Sequence, residues 1–119
     1  MNDQTTNINV LKNVMQEFVA ERDWQQFHSP KNLAAKLVIE AGELLEKFVW
    51  LDSKASFEEL EKNRQEIEDE AADVFIVLLE FCNTANIDIT TAMMHKLKEV
   101  RAKYPIEKAK GICTKYNKL

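Results

Sequence analysis

The chain has 119 residues, of which 45% are hydrophobic and 30% charged, and its formal net charge is −4. This length and composition are typical of one globular domain with a single core, and the negative charge excludes a general attraction for nucleic acid polymers. No run of 18 apolar residues is present, which excludes a simple membrane span. The polar N-terminal segment lacks the layout of a signal peptide, so we expect a cytoplasmic protein.

Hydrophobic periodicity predicts an all-α fold with four main helices, and the presence of only two glycines and two prolines agrees with it. Apolar residues at helical spacing predict a first helix over about residues 8–21. Ser29 followed by Pro30 predicts the start of a second helix. Serine is a common N-cap residue, and proline is tolerated in the first turn of a helix. This second helix is expected to run to about Trp50.

The second half of the chain carries two further helix signals. Ser56 and the glutamate three residues later have the spacing of a capping box, which predicts a third helix running unbroken to about Thr84. Asp88 or Thr90 caps a fourth helix, which ends near Tyr104. Helices this long leave much apolar surface when they pair, so a homo-oligomer is expected. We expect a single domain over residues 1–119, with residues 1–7 and 106–119 as the candidate flexible tails.

Four carboxylates interrupt the apolar stripes of the second and third helices. At about 100° per residue, Glu40 lies at the edge of one stripe with Glu43 beside it. Glu70 and Asp73 repeat this arrangement on the third helix. If the two stripes pack together, these side chains converge; we call them the acidic quartet. Converging carboxylates repel one another and resist burial, and a divalent cation relieves both effects; oxygen ligands suit Mg²⁺ or Mn²⁺.

Two other interpretations of the acidic quartet remain open at this point. In the first interpretation, its members are surface carboxylates paired with lysines. A chain with 20 acidic residues contains many pairs of acidic residues at this spacing by chance. The second is a carboxylate-bridged di-iron bundle, which uses Glu-x-x-His motifs. His28 and His95 do not occupy the required positions, so the pattern favours Mg²⁺ over iron.

The acidic pairs stand in the strings "EAGE" at 40–43 and "EAAD" at 70–73, with 26 residues between them. Around them lie "FVAERDWQQFHSPKNLA", "KFVW" and "KYP". Together these strings resemble the MazG-like all-α nucleoside triphosphate pyrophosphohydrolases, in particular the branch that includes dCTP pyrophosphatase. The resemblance covers roughly residues 11–116 and implies a four-helix-bundle fold assembled as a tetramer.

The resemblance also implies a reaction and its site. A nucleoside triphosphate such as dCTP, dATP or a modified dNTP is cut by water at the α-phosphorus, which gives the monophosphate and pyrophosphate, with Mg²⁺ required and Mn²⁺ as a substitute. The acidic quartet supplies the metal ligands, and Glu40 or Glu43 orients or deprotonates the water. The residues that match the base pocket are Trp24, Trp50, Phe27, His28 and Asn32. Those that match the phosphate contacts are Lys96, Arg101, Tyr104, Lys110, Lys115 and Tyr116.

Several alternatives accompany this interpretation. His28 either contacts the ligand or makes a structural hydrogen bond. Val77 and Val100 stand where related sequences carry tyrosine and asparagine, so the preferred base is not determined. A non-catalytic oligomeric helical module, with a nucleotide-binding or regulatory role, is the competing function; the intact acidic quartet favours the enzyme, because such a module has no need of converging carboxylates.

Overall fold

The structure is a computed structural model that describes all 119 residues, and every regular element in it is helical. The chain forms two compact units, Met1–Asn86 and Ile87–Leu119. No single helix is long and apolar enough to cross a membrane; α4 and α5 meet that test only when they are counted together across the break between them. The elements are α1 Ile8–Glu21, a 3₁₀ turn Trp24–Phe27, α2 Pro30–Glu46, α3 Ser53–Lys62, α4 Arg64–Ala85, α5 Ile89–Lys103, α6 Ile106–Ala109 and a 3₁₀ turn Tyr116–Lys118.

Helix α4 is the centre of the first unit and packs against α1 and α2, with α3 beside its N-terminal part. Its 22 residues extend about 33 Å at 1.5 Å per residue. Cys82, which lies in the apolar run of this helix, is fully buried, and its thiol is free. The buried apolar side chains that form this core are Met15, Val19, Leu33, Ile67, Val77, Leu79 and Cys82.

The predicted start of α2 is confirmed, and its predicted end is wrong. The Ser29 hydroxyl accepts a hydrogen bond from the Asn32 N–H at 3.1 Å, and Pro30 occupies the first turn. The helix ends at Glu46, four residues before Trp50. After that point several backbone N–H groups bond to the carbonyl three residues earlier, which tightens the chain into a turn. Trp50 therefore lies in this turn and not on the helix.

The third predicted helix is wrong in both its start and its continuity. The cap is Asp52, whose carboxylate accepts a hydrogen bond from the Ala55 N–H at 2.8 Å, and the Ser56 hydroxyl donates instead to the Ser53 carbonyl. The helix then breaks at Asn63, where φ is −121° and ψ is 39°. Asparagine competes with helical hydrogen bonding through its side chain, and this one donates to a nearby glutamate. The segment therefore forms two helices, α3 and α4.

The second unit begins with α5, and Asp88 is its cap. The Asp88 carboxylate accepts a hydrogen bond from the Thr91 N–H at 2.9 Å, which decides between the two predicted caps. After α5 the chain makes the short helix α6 and returns to the end of α5. There the Tyr104 hydroxyl accepts a hydrogen bond from the Tyr116 N–H at 3.2 Å, and the two rings meet edge to face.

Candidate metal centre

The acidic quartet comes together where α2 packs against α4. One carboxylate oxygen from each of Glu40, Glu43, Glu70 and Asp73 lies within 4.8 Å of the others. Glu40 and Glu70 are half-buried, whereas Asp73 is exposed. The convergence that the two apolar stripes predict is therefore present, with one side of the cluster against the bundle and the other open to solvent.

The surroundings of two of these carboxylates, Glu43 and Glu70, raise their pKa values. The pKa of Glu43 is raised above its ordinary value, first by a hydrogen bond to Glu40 and then by the charge of Glu40. Partial burial raises the pKa of Glu70, and the nearby charge of Glu43 adds to this effect. Each shift disfavours the negative form, because neighbouring carboxylates repel one another and burial weakens the hydration of the charge.

The arrangement fits a divalent cation. Glu70 Oε2 is buried and has no hydrogen-bond partner, although a buried carboxylate oxygen normally has one. The four carboxylate oxygens lie within 4.8 Å of one another, close enough for Glu40, Glu43, Glu70 and Asp73 to hold one divalent cation together. All four donors are oxygens, which suits Mg²⁺ or Mn²⁺.

Neither histidine belongs to the quartet. His28 Nε2 lies 3.9 Å from Glu80 Oε2, and His95 Nε2 lies 3.6 Å from Glu99 Oε1 on its own helix. The donor set therefore lacks the histidine ligands that a di-iron bundle of the Glu-x-x-His type uses.

A lysine that the sequence analysis did not consider borders the quartet. Lys47 Nζ donates to Glu66 Oε2 at 3.2 Å, and this hydrogen bond raises the pKa of Lys47. The positive charge of Lys47 also opposes the rise in the pKa of Glu70. Its place one turn after Glu43 was a usable signal, because residues four apart lie on one helix face.

The residues predicted to form the base pocket occupy different environments. Trp24 packs edge to face against Phe18, with ring centroids 5.6 Å apart, and remains partly exposed. Trp50 is 92% exposed. The Asn32 amide donates to the Phe27 carbonyl at 3.2 Å, so this asparagine joins the 3₁₀ turn to α2. Trp24 is therefore in contact with Phe18, and Asn32 is in contact with Phe27. Base binding by the five predicted residues stays a prediction.

All six residues predicted to contact phosphate belong to the second unit. Lys96 Nζ donates to Glu99 Oε2 at 2.9 Å, and Tyr104 is bonded to the backbone of Tyr116. Lys103, which was not among the six, places its ammonium 4.8 Å from the centre of the Tyr116 ring. Arg101, Lys110 and Lys115 are exposed. Phosphate binding by these six residues stays a prediction.

Sequence reasoning missed Glu80, a carboxylate buried in the first unit. It is only 4% exposed, and its Oε2 atom has no hydrogen-bond partner. The available signal was its position in the apolar run "VFIVLLEFC", about 20° from Asp73 on the helical wheel. The imidazole of His28 lies beside it, with Nε2 3.9 Å from Glu80 Oε2, and both residues line a cavity of about 230 Å³.

Comparison with known proteins assigns the chain to a family. The model of the MazG-like family matches residues 36–119, a range that includes all four members of the acidic quartet. The chain belongs to the MazG-like family. Over 111 residues, or 92% of its length, the chain is 36% identical to dCTP pyrophosphatase 1 of Rattus norvegicus and 35% identical to that of Homo sapiens. It spans 65% of the length of each of these two relatives.

A solved structure supports the same assignment. The crystal structure of a pyrophosphatase from Archaeoglobus fulgidus superposes with a TM-score of 0.81 and 39% sequence identity. The match covers 88% of this chain and 98% of the archaeal chain. The all-helical MazG-like fold is therefore shared over nearly the whole length of the archaeal protein.

Proposed function

We propose that this protein is a Mg²⁺-dependent nucleoside triphosphate pyrophosphohydrolase, which converts a nucleoside triphosphate to the monophosphate and pyrophosphate. The observation that carries the proposal is the acidic quartet, whose oxygens converge from α2 and α4 with Glu70 Oε2 buried and unpartnered. Membership of the MazG-like family supports it. The names of the mammalian and archaeal relatives, dCTP pyrophosphatase 1 and pyrophosphatase, support the reaction class.

The residues of the site have distinct tasks in this proposal. Glu40, Glu43, Glu70 and Asp73 hold the cation, with Mn²⁺ as an alternative to Mg²⁺. A divalent cation at such a site neutralises the triphosphate and makes water more acidic. Either Glu40 or Glu43, the two members of the quartet on α2, orients the attacking water toward the α-phosphorus and accepts its proton, as the family resemblance implies. Lys47 balances part of the negative charge on α4 through Glu66 and Glu70.

The substrate in this proposal is dCTP, dATP or a modified deoxynucleotide, and the active form is a homotetramer in the cytoplasm. Exposed apolar side chains on α2 support an assembly, because Val38, Ile39 and Leu45 face away from the core. The residues proposed to contact the base are Trp24, Trp50, Phe27, His28 and Asn32. The residues proposed to contact the phosphates are Lys96, Arg101, Tyr104, Lys110, Lys115 and Tyr116.

The proposal is tested by pyrophosphate release from the eight common dNTPs and NTPs, with Mg²⁺ and with EDTA. We expect Mg²⁺-dependent release from at least one nucleotide and its loss in Glu70→Gln, which keeps the size of the side chain and removes its charge. Glu58→Gln makes the same change on the exposed surface of α3 and serves as the matched control. A folded protein that releases no pyrophosphate from any nucleotide contradicts the proposal and favours a non-catalytic helical module.

A further inference from the structure

A second polar cluster lies further along α4, away from the acidic quartet. It surrounds the cavity of about 230 Å³, which is bounded by α1, the 3₁₀ turn at Trp24–Phe27 and the C-terminal half of α4. Since a water molecule occupies about 30 Å³ in the liquid, this volume is that of roughly eight waters. The cavity is therefore large enough for a ligand the size of a heterocyclic base.

Glu80 gives this cavity an unused hydrogen-bond acceptor. Its side chain is almost fully buried, and Oε2 accepts no hydrogen bond from any group in the chain. His28 Nε2 is the nearest basic atom, but at 3.9 Å it is beyond hydrogen-bond distance. A buried carboxylate oxygen without a donor is costly, so the site favours a molecule that brings an N–H or O–H group to it.

The other walls of the cavity restrict the kind of molecule that fits. The Asn83 amide nitrogen donates one of its two N–H groups to the Lys12 carbonyl at 2.9 Å. The Asn83 oxygen is the hydrogen-bond acceptor of that side chain. Met15 and Val19 provide an apolar wall. The remaining lining residues, Gln16, Gln25, His28 and Thr84, are polar and can meet other edge atoms of a bound ring. An apolar wall beside the Glu80 and Asn83 oxygens suits a flat ring that carries an amino group, which offers two N–H donors.

The position of Glu80 relative to the acidic quartet matches the shape of a nucleotide. Glu80 and Asp73 are seven residues apart on one continuous helix, so they lie about 20° apart around its axis and about 10 Å apart along it. A nucleotide whose α-phosphate lies at the quartet carries its base away from the metal centre by a distance of this order. Both features therefore lie on the same face of α4, one suited to phosphate and the other suited to a base.

We propose that Glu80 is a specificity-determining residue that accepts a hydrogen bond from the exocyclic amino group of a nucleobase. This inference rests on the proposed function, because it assigns a base to the nucleotide that the quartet holds. Cytosine and adenine present an amino group at the relevant edge, whereas uracil, thymine and hypoxanthine present a carbonyl oxygen. A carbonyl oxygen facing the buried carboxylate leaves two acceptors opposed, and the site rejects it.

The test compares ligands that differ only in this group. Isothermal titration with dCMP and dUMP, and with dAMP and dIMP, measures binding without requiring catalysis. For the wild-type protein we expect the amino member of at least one pair to bind roughly tenfold to a hundredfold more tightly. In Glu80→Gln the amide offers both a donor and an acceptor, so the two members should bind within about threefold of each other. Glu58→Gln, on the surface of α3, should keep the wild-type ratio.

One further variant, at Gln16, separates this inference from simpler effects. Gln16 lies at the exposed rim of the cavity, and Gln16→Trp should weaken binding of both members of a pair by narrowing the entrance. Equal binding of amino and carbonyl ligands by the wild-type protein overturns the role of Glu80, and so does a wild-type ratio in folded Glu80→Gln. If pyrophosphate release is Mg²⁺-dependent but the wild-type protein binds amino and carbonyl ligands equally, only this inference fails. If the ratios are as expected but no triphosphate is cleaved, only the proposed reaction fails.

Discussion

Replacing Glu40 by leucine separates the chemical role of the quartet from its structural role. Glu40 lies at the edge of the apolar stripe of α2 and is half-buried. Complete burial of a leucine side chain contributes about 1.5–3 kcal/mol, so a half-buried leucine contributes roughly 1 kcal/mol. The substitution also removes one of four mutually repelling carboxylates. In EDTA, Glu40→Leu should therefore be as stable as the wild-type protein or about 1 kcal/mol more stable.

The same substitution should remove the stabilisation that Mg²⁺ provides. A ligand at ten times its dissociation constant stabilises the folded state by about 1.4 kcal/mol, from RT ln(1 + [L]/Kd). In a chain of this length that corresponds to a rise in Tm of roughly 5 °C. The wild-type protein should show this rise between EDTA and Mg²⁺, and Glu40→Leu should not. Pyrophosphate release should fall by at least about a hundredfold.

Thermal unfolding followed by circular dichroism, at one protein concentration, measures both effects. Glu40→Gln is the matched variant that removes the charge without adding apolar surface, and Glu58→Leu adds apolar surface on α3 without touching the quartet. A Glu40→Leu protein that unfolds well below the wild-type Tm in EDTA would refute the reasoning. The carboxylate would then be a structural residue of the bundle.

Three other predictions test the electrostatics, the core and the helix boundaries. Because the pKa of Glu43 and of Glu70 is raised above 4.5, the stability they contribute is fully present below about pH 4.5 and is lost as the pH rises through their raised values. The Tm in EDTA should thus fall from pH 5 to pH 8, and the increase in Tm caused by Mg²⁺ should become larger over the same range. A Tm that is independent of pH argues against repulsion among the carboxylates of the quartet. Leu33→Ala, at a side chain 2% exposed, should lower the free energy of unfolding in urea by about 2–5 kcal/mol, whereas a loss below 1 kcal/mol would contradict its place in the core. Asp52→Ala should lower the free energy of unfolding by about 1 kcal/mol in the same assay through loss of the α3 cap. A larger decrease in Ser56→Ala would show that Ser56 is the cap, as the sequence predicted.

The sequence determines much of this structure because its signals are local and periodic. The starts of α2 and α5 follow from Ser29 and Asp88, since each cap needs only the next few residues. The convergence of the quartet follows from two apolar stripes at helical spacing. The break at Asn63 could not be predicted in the same way, because a helical pattern continues across it and asparagine also occurs within helices.

The buried carboxylate shows a second limit of sequence reasoning. Glu80 stands in a run of apolar residues, and periodicity places it beside the exposed Asp73 without indicating that it is buried or whether it has a partner. Its cavity depends on how α1 and the 3₁₀ turn pack against α4, which is a long-range property. His28 illustrates the same point, because its position near Glu80 results from packing between elements that are 50 residues apart in the chain.

Hydrolysis in water enriched in ¹⁸O tests the central claim most directly. The wild-type protein is incubated with Mg²⁺ and the preferred triphosphate, and the products are analysed by mass spectrometry. Attack of water on the α-phosphorus predicts one ¹⁸O atom in the nucleoside monophosphate and none in the pyrophosphate, with no turnover in Glu70→Gln. Label in the pyrophosphate, release of orthophosphate alone, or unchanged turnover in Glu70→Gln would contradict the assignment of the acidic quartet to this reaction.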